Sequence, residues 1–333
     1  MRWTKLAADE VQPTWDAQLL RFRDQSLFQS VRWGQYKGTR GWAPHYFRAD
    51  ADGVVVAMLQ ALVRRYPLRT VVAWCPGGPV GCLDTCSSDS MKELAEQMEA
   101  RRLYCRASFL RIGTRDEVQY LSANGWSRPG RPVGAGTTAV WDLRQSEEQL
   151  LAGLNRNWRY SLRQAQQRNL RVERFDAPPV RELAQLCRSM NAAKGIGGSV
   201  EPSEVAALFE ALGDRALVYG CRNQAGELVA FHACAIQGDR AWELVAATSD
   251  EARRSGASFV LLWTMMLECR GRGVTHFDLA GVDHVRAPGV ASFKRWTGAE
   301  EVEWLGEWEW SSSRLLRRVV NIRAARRSTA ALP

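Results

Sequence analysis

The 333-residue chain has no Cys-x-x-Cys pair among its eight cysteines and only four histidines, so the close ligand spacing of a structural zinc site is missing and no metal is expected. No stretch approaches the ~18 consecutive apolar residues that a membrane-spanning helix needs. Residues 1–10 already carry Arg2, Lys5, Asp9 and Glu10, which leaves no apolar core for a secretory signal. Acids are in deficit, 36 against 45 basic residues, and none follows Glu309. The cysteines are therefore read as reduced and mostly buried. The expected location is the cytoplasm, with room for peripheral contact at the inner face of an anionic membrane.

Apolar residues make up 46% of the chain and charged residues 24%, enough for real cores, and the length suggests about two domains. The net charge of +9 favours a phosphate-bearing partner. Most of the 14 tryptophans are expected in the core.

An order of elements occurs twice. Residues 54–63 and 70–74 read as strands, 91–105 as a helix and 107–112 as a buried strand. Residues 228–236 and 241–247 read as a hairpin turned at Gly238-Asp239, followed by a helix over 258–270 and a strand over 275–279. The offset between corresponding elements stays at about 170 residues. Strand, strand, helix, strand is the centre of the N-acetyltransferase (GNAT) fold. The expected architecture is α/β, with two copies of one unit that resemble that fold, over 1–145 and 146–310, and a basic tail over 311–333.

The helix expected after residue 146 puts Leu151, Leu154, Trp158, Leu162 and Ala165 on one face and Arg156, Arg159 and Arg163 on another. That basic face suits phosphate or simply solvent. In the tail, Arg314, Arg317, Arg318, Arg323, Arg326 and Arg327 alternate with apolar residues, as in a helix that lies on anionic membrane or RNA, or one that docks on the protein.

Three groups of residues carry a family resemblance. Phe28-Gln29-Ser30, Trp33-Gly34-Gln35-Tyr36-Lys37 and Gly41-Trp42-Ala43-Pro44-His45 open the chain; residues 157–165 form an Arg-rich segment; Phe277-Asp278-Leu279-Ala280-Gly281, Gly289 to Lys294, Gly298 and Gly306-Glu307 come late. Together they resemble the compact members of the Fem-type aminoacyltransferases, which build peptidoglycan cross-bridges, and the resemblance implies two tandem GNAT-like domains without the long helical arm of larger relatives. The resemblance implies transfer of an amino acid from aminoacyl-tRNA to an amine of an envelope precursor carrying phosphate, with no cofactor. It implies that Lys37, beside Tyr36 and Trp33, holds acceptor phosphate, and that Lys294, beside Phe293, serves the donor and the developing oxyanion. Arg159 and Arg163 become candidate substrate contacts.

Asp278, Asp283 and Glu243 are possible proton acceptors, with Asp278 placed after a buried strand. His45, His232, His276 and His284 have no nucleophile motif around them and read as packing. Two departures from the family pattern matter. Where the family implies an arginine after residues 190–196 as a second contact to acceptor phosphate, the chain offers Lys194, a point charge only, so an acceptor other than the usual lipid-linked muropeptide is expected. The run Arg253-Arg254-Ser255-Gly256-Ala257-Ser258 partly resembles an acyl-CoA pyrophosphate loop, so an acyl-CoA-dependent N-acyltransferase is the alternative, and a non-catalytic RNA or membrane adaptor a third reading. Pro76-Gly77-Gly78-Pro79 lacks a P-loop ending and reads as a turn.

Overall fold

The computed structural model describes residues 2–134, 136–168, 170–195 and 200–326, without the side chains of 324–326. Contacts divide the chain into two compact units, Met1–Gly136 with Glu303–Arg327, and Thr137–Val302. The first unit begins with β1 (Arg2–Lys5), α1 (Ala8–Leu19), α2 (Val31–Gly38), β2 (Ala43–Ala51), β3 (Val54–Tyr66), β4 (Thr70–Pro76), β5 (Val80–Gly81), α3 (Ser88–Gln97), β6 (Arg102–Phe109) and α4 (Arg115–Ala123). The second contains β7 (Thr137–Asp142), α5 (Glu147–Gly153), α6 (Arg156–Gln166), β8 (Arg171–Arg174), α7 (Val180–Ala193), α8 (Pro202–Leu212) and β9 (Ala216–Arg222). It continues through β10 (Leu228–Gln237), β11 (Arg240–Thr248), α9 (Asp250–Ser255), α10 (Ala257–Gly271), β12 (His276–Gly281), α11 (Pro288–Arg295) and β13 (Glu300–Glu303). The chain then returns to the first unit with β14 (Gly306–Ser311) and α12 (Arg314–Arg326).

Each unit is built on a sheet of seven strands, in the order β1-β2-β3-β4-β6-β14, with β5 beside β3, and β13-β7-β12-β11-β10-β9-β8. The expected duplication is present as β3-β4-α3-β6 and β10-β11-α10-β12. In both, an antiparallel pair is followed by a helix and a parallel strand. The fold is α/β, as expected.

The division differs from the one expected at 145/146 and 310. β7 precedes the second copy and pairs antiparallel with β12, whereas β14 follows it and pairs antiparallel with β6 of the first. Both strands close an edge that would otherwise leave its backbone groups without partners. The tail is likewise not separate, because α12 packs on the first unit through Arg317, which donates to the Gly125 carbonyl.

Two element boundaries also shift. The helix expected over 91–105 ends at Gln97, where Glu99 takes a left-handed φ of 54° and Ala100 N–H caps the Ala95 carbonyl at 2.8 Å. β6 then starts at Arg102 and includes Cys105. The linking helix is two helices, because the Asn155 side chain accepts from Asn157 N–H at 2.9 Å and starts α6 afresh.

Core packing follows the apolar stripes. Trp3, Phe47, Leu59, Leu94, Phe109 and Trp308 cluster in the first unit; Trp141, Trp158, Leu261, Met265 and Phe277 do so in the second. Trp3, Trp15, Trp33, Trp126, Trp141, Trp158, Trp242, Trp263, Trp308 and Trp310 are buried, so tryptophan is mostly core mass here. All eight cysteines are free thiols, and only Cys82 is not fully buried.

Candidate functional site

The parallel pairing of the two copies differs at one point. In the first unit β4 and β6 stay in register from Thr70↔Arg102 to Pro76↔Ser108. In the second, β11 and β12 pair only from Arg240↔His276 to Trp242↔Asp278. β11 bulges where Ala233↔Val245 steps to Cys234↔Glu243, and β12 is irregular between Asp278 and Gly281, with Ala280 in a left-handed φ of 61°. Ionisable side chains gather where this ladder ends.

Lys294, on α11, is 8% exposed. Its Nζ donates to the Gly281 carbonyl at 3.0 Å and lies 3.9 Å from Glu243 Oε2. Glu243 Oε1 is 2.8 Å from Nδ1 of the buried His232. Asp278 Oδ1 accepts from Thr138 Oγ1 and, at 2.8 Å, from Ala280 N–H.

The two carboxyls are tuned in opposite directions. Burial raises Asp278 above the ordinary aspartate value, against the bonds from Thr138 and Ala280 and the Lys294 charge, while the Glu243 charge adds to the rise. Burial also opposes ionisation of Glu243, but the His232 bond and the His232 and Lys294 charges outweigh it and hold that carboxyl low. Glu243 is thus a fixed counter-charge for Lys294 and Asp278 the more basic group. Carboxyl pairs pushed apart in this way commonly divide roles in acid–base chemistry.

Phe293 anchors the lysine. Its ring packs 5.8 Å from Trp158 and 5.1 Å from Phe259, centroid to centroid. This aromatic cluster ties α11 to α6 and α10 and fixes where Lys294 emerges. Trp158 is fully buried in it, so it is a core residue rather than a lining one.

On α6, Trp158, Leu162 and Ala165 face the core. Arg156, Tyr160 and Arg163, at i, i+4 and i+7, share the opposite, exposed face, and Tyr160 is 64% exposed. Arg159 is turned away from that stripe and donates to the Ala152 carbonyl at 3.2 Å, closing the end of α5.

The run at Arg253 forms the α9–α10 junction. Gly256 has φ 79°, and a Cβ there would meet the Ala165 Cβ at 3.1 Å, so glycine is required twice over. Arg253 pairs with Asp250, Arg168 donates to the Arg254 carbonyl at 2.5 Å, and Ala257 is buried. Lys194, exposed at the end of α7, is lowered by partial desolvation and by the charge of Arg253. Residues 196–199 of the same segment lie outside the described residues.

In the first unit, Lys37 is 5% exposed, with its Nζ 4.6 Å from the Trp33 ring centroid, 4.8 Å from Tyr36 and 5.2 Å from Trp74. Three aromatic faces around one ammonium form a cation–π cage. Gln29 secures its base, bonding the Gln60 backbone at 2.7 and 3.1 Å and the Pro76 carbonyl at 2.9 Å. At the turn over residues 76–79 the Gly78-Pro79 peptide is cis. Trp42 and Trp74, partly exposed, lie 5.9 Å apart.

His232 is the residue that sequence reasoning missed, since it read as packing. The available signal was Glu243, the only acid between Asp239 and Asp250 in an otherwise apolar strand: a buried charge needs a partner. Asp283, by contrast, bonds the Val285 and Arg286 amides and is a loop cap. No group of three or more His, Cys, Asp or Glu residues able to hold a metal occurs among the described residues.

A family model described as an acetyltransferase (GNAT) domain matches residues 153–295, the part of the second unit that contains Lys294, Asp278 and Glu243. Among solved structures, the chain is similar to FemX at 18% identity and a TM-score of 0.80, over 96% of this chain and 100% of that one. It is also similar to L-PGS from Bacillus licheniformis, at 15% identity and a TM-score of 0.56 over 98% of both chains. A tandem GNAT protein from the clavulanic acid biosynthesis pathway gives 14% identity and a TM-score of 0.56, over 94% of this chain and 98% of that one. No curated protein matches by sequence. The chain has a Fem-like tandem GNAT fold, and by domain content it is of the acyltransferase type.

Proposed function

We propose that the protein transfers an aminoacyl group from aminoacyl-tRNA to an amine of a phosphate-bearing cell-envelope precursor. The observation that carries this reading is the buried Lys294 ammonium at the end of the β11–β12 ladder, within the acetyltransferase-type unit. Attack of an amine on an aminoacyl ester forms a tetrahedral oxyanion. A fixed cation in a water-poor site stabilises such an anion strongly because it does not reorganise during the reaction. Lys294 has that role, with Glu243, itself held by the bond to His232, as its counter-ion. Asp278 takes the proton released by the attacking amine.

The α6 stripe of Arg156, Tyr160 and Arg163 serves the donor RNA, with cations for phosphate and one exposed ring for a base. The Lys37 cage serves acceptor phosphate. The Fem-type sequence resemblance supports an acceptor of the cell envelope.

An acyl-CoA donor is the second reading, favoured by the acetyltransferase match across the α9–α10 junction. Against it, Ala165 and Arg168 crowd that junction. Titration calorimetry with CoA separates the donors: micromolar binding by the native protein, together with no transfer from a mixed pool of radiolabelled aminoacyl-tRNAs, would replace the first reading by the second.

A further inference from the structure

α12 has two unlike faces. Inward, Arg317 Nη2 donates to the Gly125 carbonyl at 3.0 Å, Asn321 Nδ2 donates to Glu309 Oε1 at 3.0 Å, and Leu316 and Val320 are half-buried between them. Outward, Leu315 is 69% exposed, Ile322 55% and Val319 38%. At ~100° per residue these three fall within about 60° of one another, opposite Arg317 and Val320. Exposed arginines border the stripe, Arg314 and Arg318 on one side and Arg323 on the other.

Single apolar side chains on a surface need no explanation, but a stripe held outward by a docked helix and edged with arginine does. The inward bonds fix the rotation of α12, so the aliphatic side chains cannot turn into the core. Phosphate of RNA would use the arginines and leave the aliphatic stripe in water. A bilayer with anionic headgroups uses both: the apolar side chains enter the acyl boundary while the longer arginine stems keep their guanidiniums at headgroup phosphate. We propose that α12 docks the protein on anionic phospholipid, with Leu315, Val319 and Ile322 inserted and Arg314, Arg318 and Arg323 at the headgroups. The inference stands apart from the identity of the acyl donor.

The test is co-sedimentation of the full chain with vesicles of phosphatidylcholine alone and with vesicles containing about one third phosphatidylglycerol. The expected result is binding to the anionic vesicles only, with a partition on the order of a hundredfold above the neutral ones, falling steeply with added salt. Leu315→Ser with Ile322→Ser should lower that partition by at least about tenfold, and Arg314→Gln, Arg318→Gln and Arg323→Gln together should abolish the preference for anionic lipid. Both variants alter exposed side chains, so each should melt as the native protein does. Equal partition of the native and Leu315→Ser/Ile322→Ser proteins would overturn the proposal, as would absence of binding to anionic vesicles. A native dimer dissolved by the same two substitutions would also overturn it, by giving the stripe to a second copy.

Discussion

The Lys294 ammonium lies 3.9 Å from Glu243 Oε2, with the two side chains 10% and 11% exposed. A pair this deep costs desolvation and is weak evidence for stability, but removing one partner leaves an uncompensated charge. Glu243→Gln should therefore destabilise the protein by about 3 kcal/mol in urea unfolding. A change within experimental error would show that the pair is open to water. His232→Gln should have a smaller effect, because Lys294 still faces a carboxylate.

On the proposed mechanism Asp278 sets the pH dependence of the reaction. Its carboxyl is raised by burial, so the acid limb of log kcat/KM should lie above the ordinary aspartate value, with activity rising as the proton leaves. Asp278→Asn keeps an acceptor for Thr138 and Ala280 and should lose that limb along with most of the rate, about 10²–10⁴-fold for a general base. An unchanged profile in the variant would assign proton removal elsewhere.

The donor surface proposed on α6 should have a salt signature. Arg156→Gln with Arg163→Gln should weaken binding of a tRNA acceptor-stem oligonucleotide and reduce the slope of log K against log salt by about 2. Tyr160→Ala should weaken binding without altering that slope, whereas Tyr160→Phe should behave like the native protein. Fluorescence anisotropy at several salt concentrations reads all three.

His45 provides an acid-labile point in the first unit. Burial, with Lys5 and Arg65 nearby and against Glu99, lowers its pKa from 6.5 to about 4, and its Nδ1 is buried without a partner. Between those values the unfolded chain binds the proton and the folded one does not, so this contribution to stability is present above pH 6.5 and is lost as pH falls through about 4. The difference in melting temperature between native protein and His45→Gln should shrink across that window. A constant difference would contradict the assignment.

Much of the fold was legible because both copies carry local signals: the apolar runs of β3, β10 and α10 and the stripe of α3 are properties of short windows. The exchange of β7 and β14 was not, because edge pairing joins residues such as Trp308 and Ala107, about two hundred positions apart. The end of α3 was hidden because Glu99 takes the left-handed position normally marked by glycine. At the site, Lys294 and Asp278 stood out through their motifs. His232 did not, since its significance arises only when the hairpin sets it 2.8 Å from Glu243. Helical periodicity after residue 155 already set Arg156, Arg159 and Arg163 apart from the Trp158 face, but that Tyr160 completes the exposed stripe while Arg159 bonds the Ala152 carbonyl shows only in the packing.

The central claim, that Lys294 stabilises the oxyanion of acyl transfer, is tested most directly by the single-turnover rate of Lys294→Met at saturating donor, measured beside native protein with matched thermal melts. The account predicts a rate lowered on the order of 10²–10³-fold, as for loss of one oxyanion donor, with donor affinity nearly unchanged. A variant that folds and transfers at the native rate would contradict it.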